Sequence, residues 1–86
     1  MTNEQTLKTV EAYKGAIGVP AKKSETSGLP TERLDALAHV AWMCDQIPVF
    51  LAESKSDKVQ RWLGFIQGAL WSFGVRTIDQ MRDDNR

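Results

Sequence analysis

The chain has 86 residues, the size of one small domain, and its eleven basic residues balance its eleven acidic residues. A domain this short buries a smaller fraction of its surface than a larger one, so disulfides, metals or oligomerisation often support its core. A single cysteine, Cys44, excludes an internal disulfide, and one cysteine with one histidine excludes the usual structural zinc sites. Oligomerisation is therefore the expected support.

The same composition argues against several functional classes. Basic residues form no block or stripe, so the chain lacks the charge pattern of a nucleic-acid-binding protein. No apolar run approaches the roughly 18 residues of a membrane span, and the N-terminus is polar and acidic, unlike a secretory signal. We expect a soluble cytoplasmic protein. Because no catalytic constellation, metal-ligand spacing or phosphate loop is present, we expect neither an enzyme nor a bound cofactor.

Residues 1–18 are predicted to form a short N-terminal helix. Thr2 followed by Gln5 is a capping box, and Gly18 is typical of a helix C-terminus. The predicted buried stripe consists of Leu7, Val10, Tyr13 and Ile17. Residues 19–29 are polar and contain proline and glycine, which predicts a flexible linker that sets this helix apart as a detachable segment.

A second helix is predicted to begin near Pro30 or Thr31 and to continue to about Glu53, bent at Pro48 or broken at Gln46. Its apolar residues recur at spacings of three and four, which is typical of an amphipathic helix facing a core. The predicted band consists of Leu34, Leu37, Val40, Ala41, Cys44, Ile47, Pro48 and Leu51.

After a short polar turn, in which Ser54 or Ser56 can cap the next helix, a third helix is predicted up to Phe73, with Gly74 as its stop. The short turn predicts an antiparallel hairpin. Residues 30–86 then form a single domain, completed by a last short helix. That helix is predicted to have a capping box at Thr77 and Gln80, to face inward through Ile78 and Met81, and to fray from Arg82 onward.

The third helix carries apolar groups on two faces. One face suits packing on the second helix and consists of Val59, Trp62, Leu63, Ile66, Ala69, Leu70 and Phe73. The opposite face holds Gly64 and Gly68, with Arg61, Phe65 and Trp71 beside them. Each glycine inside a helix costs about 0.5–1 kcal/mol relative to alanine, and a solvated face offers nothing to offset that cost.

This pattern predicts that the third helix is held from two sides, and that two hairpins associate as a helical-bundle homodimer. Trp42 lies off the main band of the second helix and joins the predicted interface, since tryptophan is enriched at interface anchors. Two alternatives stay within one chain. In the first, Gly64 and Gly68 pack under the first or last helix; in the second, the N-terminal helix covers Trp42.

Three other groups of residues are candidates for chemistry. His39 and Cys44 are five residues apart on a helix and diverge by roughly 140°, which does not suit a nucleophilic pair. The acidic residues Asp79, Asp83 and Asp84 are expected to be solvated tail charges rather than a cation site. Tyr13, Lys22 and Lys23, together with Arg61, are candidates for contacting a nucleotide or another small anionic ligand.

Three segments of the sequence give a resemblance. Residues 61–71 and their sequel from Gly74 to Asn85, with the block Trp42-Met43-Cys44-Asp45-Gln46-Ile47-Pro48, resemble small uncharacterised proteins encoded by tailed bacteriophages. The resemblance covers the C-terminal two-thirds of the chain and does not extend to residues 1–29. It implies an accessory protein acting in the bacterial host cytoplasm against a host protein, and it carries over no functional residue.

The sequence therefore predicts an all-α, non-enzymatic binding protein that inhibits or redirects a host protein, for host takeover or against a host defence. Its predicted contact residues are Trp42, Arg61, Gly64, Phe65, Gly68 and Trp71. Self-association could use the same residues. Two alternatives remain open: an oligomeric scaffold that sequesters a nucleotide or other small anion, and a virion or assembly component.

Overall fold

The computed structural model describes residues 2–24 and 32–84. The regular secondary structure within these ranges is all helix, as predicted. The helices are α1 (Asn3–Ile17), α2 (Arg33–Ala52), α3 (Ser56–Ser72) and α4 (Ile78–Asp84). Within the described ranges there is no strand. The predicted start of α2 at Pro30 or Thr31 lies outside these ranges, and the helix begins after Glu32.

Both ends of α1 follow the sequence prediction. The Thr2 hydroxyl accepts a hydrogen bond from the Gln5 N–H at 3.1 Å, and the Gln5 side-chain oxygen accepts from the Thr2 N–H at 2.9 Å. Gly18 adopts a left-handed conformation with φ 65°, and its N–H donates to the carbonyl of Lys14. Glycine meets this requirement without the steric cost that a Cβ brings.

The buried face of α1 differs from the predicted stripe at one end. Val10, Tyr13 and Ile17 enter the core, but Leu7 is exposed and Thr9 is buried. The hydroxyl of Thr9 donates to the backbone carbonyl of Asp84 at 3.1 Å, so the end of α4 lies against this part of α1. Val10, Tyr13 and Ile17 of α1 thus belong to the same core cluster as side chains of α2 and α3.

Helix α2 lies at the centre of the fold and packs against both α1 and α3. Helices α1 and α3 also contact each other, because the Gln67 amide donates to the Tyr13 hydroxyl. Within the described chain, α2 is the helix with the most extensively buried surface. The prediction that a second chain or a partner holds α3 from its other side stays a prediction. Leu34 and Pro48, predicted for the buried band, are exposed. The buried residues cover much of the circumference: Ala36, Leu37, Ala38, Val40, Ala41, Met43, Cys44, Ile47 and Phe50.

The connection from α2 to α3 consists of residues 53–55. Helix α2 continues through Pro48 to Ala52, without a break at Gln46. Ser54 adopts a positive φ of 59°, and Lys55 occupies the N-cap position of α3. The expectation that Ser54 or Ser56 caps α3 is wrong, since lysine, which has no acceptor atom, stands at that position.

Helix α3 has one buried face, which packs against α2 and consists of Val59, Leu63, Ile66 and Leu70. Phe50, near the end of α2, contacts Trp62 with ring centroids 4.7 Å apart, and Arg33, at the start of α2, lies over the ring of Phe73. The two helices therefore pass each other in opposite directions. Gly74, with φ 71°, ends this part of the chain, as the sequence predicts.

Helix α4 is attached mainly by polar contacts. Its capping box forms as predicted: the Thr77 N–H donates to the Gln80 side chain at 2.9 Å, and the Gln80 N–H donates to the Thr77 hydroxyl at 3.1 Å. Met81 packs against the core, but Ile78 is exposed, contrary to the prediction. Asp84 is not a solvated tail charge, because it accepts two hydrogen bonds from Arg76 at 2.7 and 3.0 Å.

The central position of α2 makes Ile47 a sensitive test of the fold. Ile47 is fully buried, whereas Val49, two residues along, is exposed. We expect Ile47→Ala to lower the free energy of unfolding by about 2–5 kcal/mol, because it removes buried methyl groups and leaves a cavity. The matched Val49→Ala change is expected to stay within about 0.5 kcal/mol of the parent. Urea denaturation of the three proteins measures this, and equal effects would contradict the central placement of α2.

Candidate functional site

The second face of α3 is exposed in the folded chain. We call it the open face and define it by Arg61, Gly64, Phe65, Gly68 and Trp71. The side chains of Phe65 and Trp71 are each 60% exposed, although both are large and apolar. An exposed patch of this kind, rimmed by polar residues, often marks a surface that meets another molecule.

The two glycines of the open face leave space above the helix. A Cβ built on Gly64 or on Gly68 meets nothing within 4 Å among the described residues. The alternative in which these glycines pack under the first or last helix is therefore contradicted for α1 and α4 as described. No contact within the described chain offsets the cost of placing glycine inside a helix.

The helical positions of the open-face residues outline a shallow groove. At about 100° per residue, Phe65 and Trp71 stand on opposite edges of this face, roughly 120° apart, with Gly64 and Gly68 between them. The aromatic side chains form its two walls, and the glycines form a floor of exposed backbone. A second helix laid in such a groove can approach more closely than a helix with longer side chains permits.

The structure places Trp42 in a separate cluster. Its ring lies 5.3 Å from that of His39 and 5.9 Å from that of Trp62, which stands on a flank of α3 rather than on the open face. The ammonium group of Lys23 lies 5.3 Å from the Trp42 ring. Trp42 is therefore partly covered by its neighbours, and the structure does not join it to the other predicted contact residues.

Part of the cover over Trp42 comes from the segment after α1, through Lys23. The N–H of Lys22 donates to the carbonyl of Ala38 at 3.0 Å, and the N–H of Ser24 donates to the Nδ1 atom of His39 at 3.1 Å. These bonds hold residues 22–24 against α2. The described part of the predicted flexible linker 19–29 is thus in contact with the helical body.

The candidate ligand-binding residues do not converge on one site. Tyr13 is fully buried, and its hydroxyl oxygen accepts a hydrogen bond from the Gln67 amide at 3.1 Å. Burial raises the pKa of this hydroxyl above its usual range, because it disfavours the charged form. Lys23 lies over Trp42, and Arg61 is on the open face. In this conformation the Tyr13 ring therefore presents no face to a ligand.

Sequence reasoning missed the cationic side chain that accompanies Trp62. The ammonium group of Lys58 lies 4.4 Å from the Phe50 ring centroid and 5.7 Å from that of Trp62. The spacing of Lys58 and Trp62, four residues apart on a helix, is a signal that predicts such a contact. Beside it, a cleft of about 370 Å³ is lined by residues 54–58 and Arg61.

The single cysteine, Cys44, is a buried free thiol. Cys44 is 1% exposed, and burial raises the pKa of its thiol to about 12, so the reactive thiolate is scarce at neutral pH. Residues 2–24 and 32–84 contain no group of three side chains suited to hold a metal ion. Over the same ranges, no helix combines the length and the hydrophobicity needed to cross a membrane.

Comparison of the chain with protein families, with curated proteins and with solved structures found no match. The open face is therefore assigned from its own geometry.

The buried thiol gives a test of the fold around Cys44. We expect labelling by a thiol-reactive disulfide reagent at pH 8 to be slow in the native protein and fast in denaturant, because the thiolate forms only when the chain opens. A Cys44→Ala variant carrying Gln60→Cys, at an exposed position of α3, is the control and should react at once. Rapid labelling of native Cys44 would contradict the burial.

The raised pKa of the Cys44 thiol makes the stability of the fold depend on pH. The folded thiol titrates at about 12, against an ordinary value of 9.0. The contribution of Cys44 to stability is fully present below the ordinary value, and it is lost as the pH rises through the folded value, because the unfolded chain releases the proton first. Cys44→Ala should therefore remove part of the loss of stability measured above pH 9.

Proposed function

We propose that this protein is a non-enzymatic helical binding protein that docks the open face of α3 onto another protein. One observation carries the proposal: two large aromatic side chains, each 60% exposed, flank two helix-interior glycines that have nothing within 4 Å of their Cβ positions among the described residues. Each feature is unfavourable in an isolated chain. Both become favourable when a second surface enters the groove.

The chemistry of the groove favours a protein helix as the occupant. Aromatic residues and arginine are the side chains most enriched at the energetic centres of protein interfaces, and the open face holds Phe65, Trp71 and Arg61. Phe65 and Trp71 can bury much of their exposed area against an apolar stripe. The exposed backbone at Gly64 and Gly68 supports close helix-to-helix contact, as small residues do elsewhere.

The phage resemblance suggests which kind of protein is the target. The block that carries it, residues 61–71, contains the whole of the open face. We propose a host protein in the bacterial cytoplasm, which the binding would inhibit or redirect. Sequestration of a nucleotide has less support, because Tyr13 is buried and the candidate cations Lys23 and Arg61 belong to different surfaces.

Photo-cross-linking tests this proposal at the groove itself. We expect a benzophenone amino acid at position 65, in protein expressed in a bacterium, to form covalent adducts with protein. The matched control is the same amino acid at position 34, since Leu34 on α2 is 61% exposed but lies off the open face. The adduct masses distinguish a second copy of the chain from a host protein.

More adducts at position 65 than at position 34, and their reduction by Trp71→Ala, would support docking through the open face. Trp71→Ala should leave the fold intact because the side chain is mostly exposed. Equal or absent adducts at the two positions would contradict the proposed function.

A further inference from the structure

We infer that the occupant of the open face is a second copy of this chain, with the two α3 helices antiparallel. The inference rests on the proposed function, since it takes the open face to be a protein-docking surface and names the partner. It follows from how the large and small residues of that face are ordered along α3. The dimer, rather than a single copy, would then bind the host protein.

In an antiparallel pair, the large residues of the open face lie level with its glycines. Consider two antiparallel copies of α3 with the two-fold axis near Gln67. A residue of one copy then lies level with a residue of the other copy when the two residue numbers sum to about 134. Phe65 then stands beside Gly68 of the second copy, and Trp71 stands beside its Gly64. Each aromatic side chain meets a position at which a Cβ has open space among the described residues.

The residues of the open face also pair by the edge of the groove on which they lie. A two-fold axis perpendicular to both helices brings each edge of the open face against the same edge of the second copy. Trp71 and Gly64 lie toward one edge, at about 100° per residue, while Phe65 lies toward the other and Gly68 lies on the midline. The pairing of levels and the pairing of edges therefore agree.

A parallel pair would fit less well. A two-fold axis along the helices would place Trp71 level with Trp71 of the second copy, about 4.5 Å along the axis from the level of its nearest glycine within the helix. The antiparallel pair brings each aromatic side chain to within about 1.5 Å of the level of a glycine.

The distribution of charge along α3 also favours the antiparallel arrangement. Lys58 and Arg61 lie in the first part of α3, whereas the last turn of the helix has no basic residue to interact with its partial negative charge. The antiparallel arrangement places Arg61 at the level of Ser72 in the second copy, near the C-terminal end of its α3. A cation near a helix C-terminus is stabilising. One helix face per copy is a small interface, so we expect a dissociation constant on the order of 10 µM.

The experiment is sedimentation equilibrium of the full chain over about 1 to 500 µM, a range that spans this expected constant. We expect a monomer–dimer equilibrium that Gly68→Leu weakens by at least about tenfold. The same change should raise the urea midpoint of the monomer, because leucine favours helix more than glycine does and the space above Gly68 is open. Loss of dimer with a more stable monomer is a result that misfolding cannot produce.

Gly15→Leu is the matched control. Gly15 also lies inside a helix, and its Cβ position likewise meets nothing within 4 Å among the described residues, but it belongs to α1. It should stabilise the monomer and leave the dissociation constant unchanged. A dimer unaffected by Gly68→Leu would overturn the inference, and so would equal weakening by Gly15→Leu.

Disulfide trapping tests the direction of pairing, in a Cys44→Ala background. Arg61→Cys with Ser72→Cys in the same chain should give an oxidised dimer, because the two positions lie at one level in the antiparallel arrangement. Ser72→Cys alone should not, since the two copies of position 72 would be about 15 Å apart along the axis. Efficient trapping through position 72 alone would overturn the antiparallel arrangement.

The two proposals fail differently. A chain that stays monomeric at about 500 µM, yet forms adducts with a host protein at position 65, overturns the second copy as occupant and leaves the docking function standing. Equal adducts at positions 65 and 34, together with a monomer, overturn both.

Discussion

The fold depends on burying α2 from two sides. Its apolar residues occupy much of its circumference, so one neighbour cannot cover them, and α1 and α3 are both used for this purpose. The edge of the α1 contact is marked by an ion pair between Lys14 and Asp45. The buried face of α3 packs against α2, and Gln67 beside it bonds to Tyr13 of α1. The second face of α3 has no cover among the described helices.

Helix α4 is too polar and too short to change this arrangement. None of its residues is buried, and it is positioned by the Arg76–Asp84 ion pair, by the bond from Thr9, and by the packing of Met81 against the core. Its contacts place it against α1. The open face of α3 therefore stays accessible, with its walls at Phe65 and Trp71 and its floor at the glycines.

Local signals in the sequence predicted the local structure well. The capping boxes at Thr2 and Thr77 and the stops at Gly18 and Gly74 depend on neighbouring residues alone, and all of them form. Long-range features were harder to predict. The burial of Thr9 and the pairing of Asp84 depend on where α4 docks, which spacing along one helix does not encode. The sequence could have identified α2 as the two-sided helix, because apolar residues surround it.

For the candidate site, the sequence predicted which residues stand on the second face of α3, but it grouped Trp42 with them. That tryptophan faces Trp62 and Lys23 instead, a separation that depends on how two helices are rotated against each other. The central claim is that Trp71 is exposed in the monomer while Trp42 and Trp62 are shielded. Fluorine NMR of the dilute protein labelled with 5-fluorotryptophan measures this directly. The account predicts the largest solvent-isotope shift for Trp71; a Trp71 resonance as shielded as the other two would contradict it.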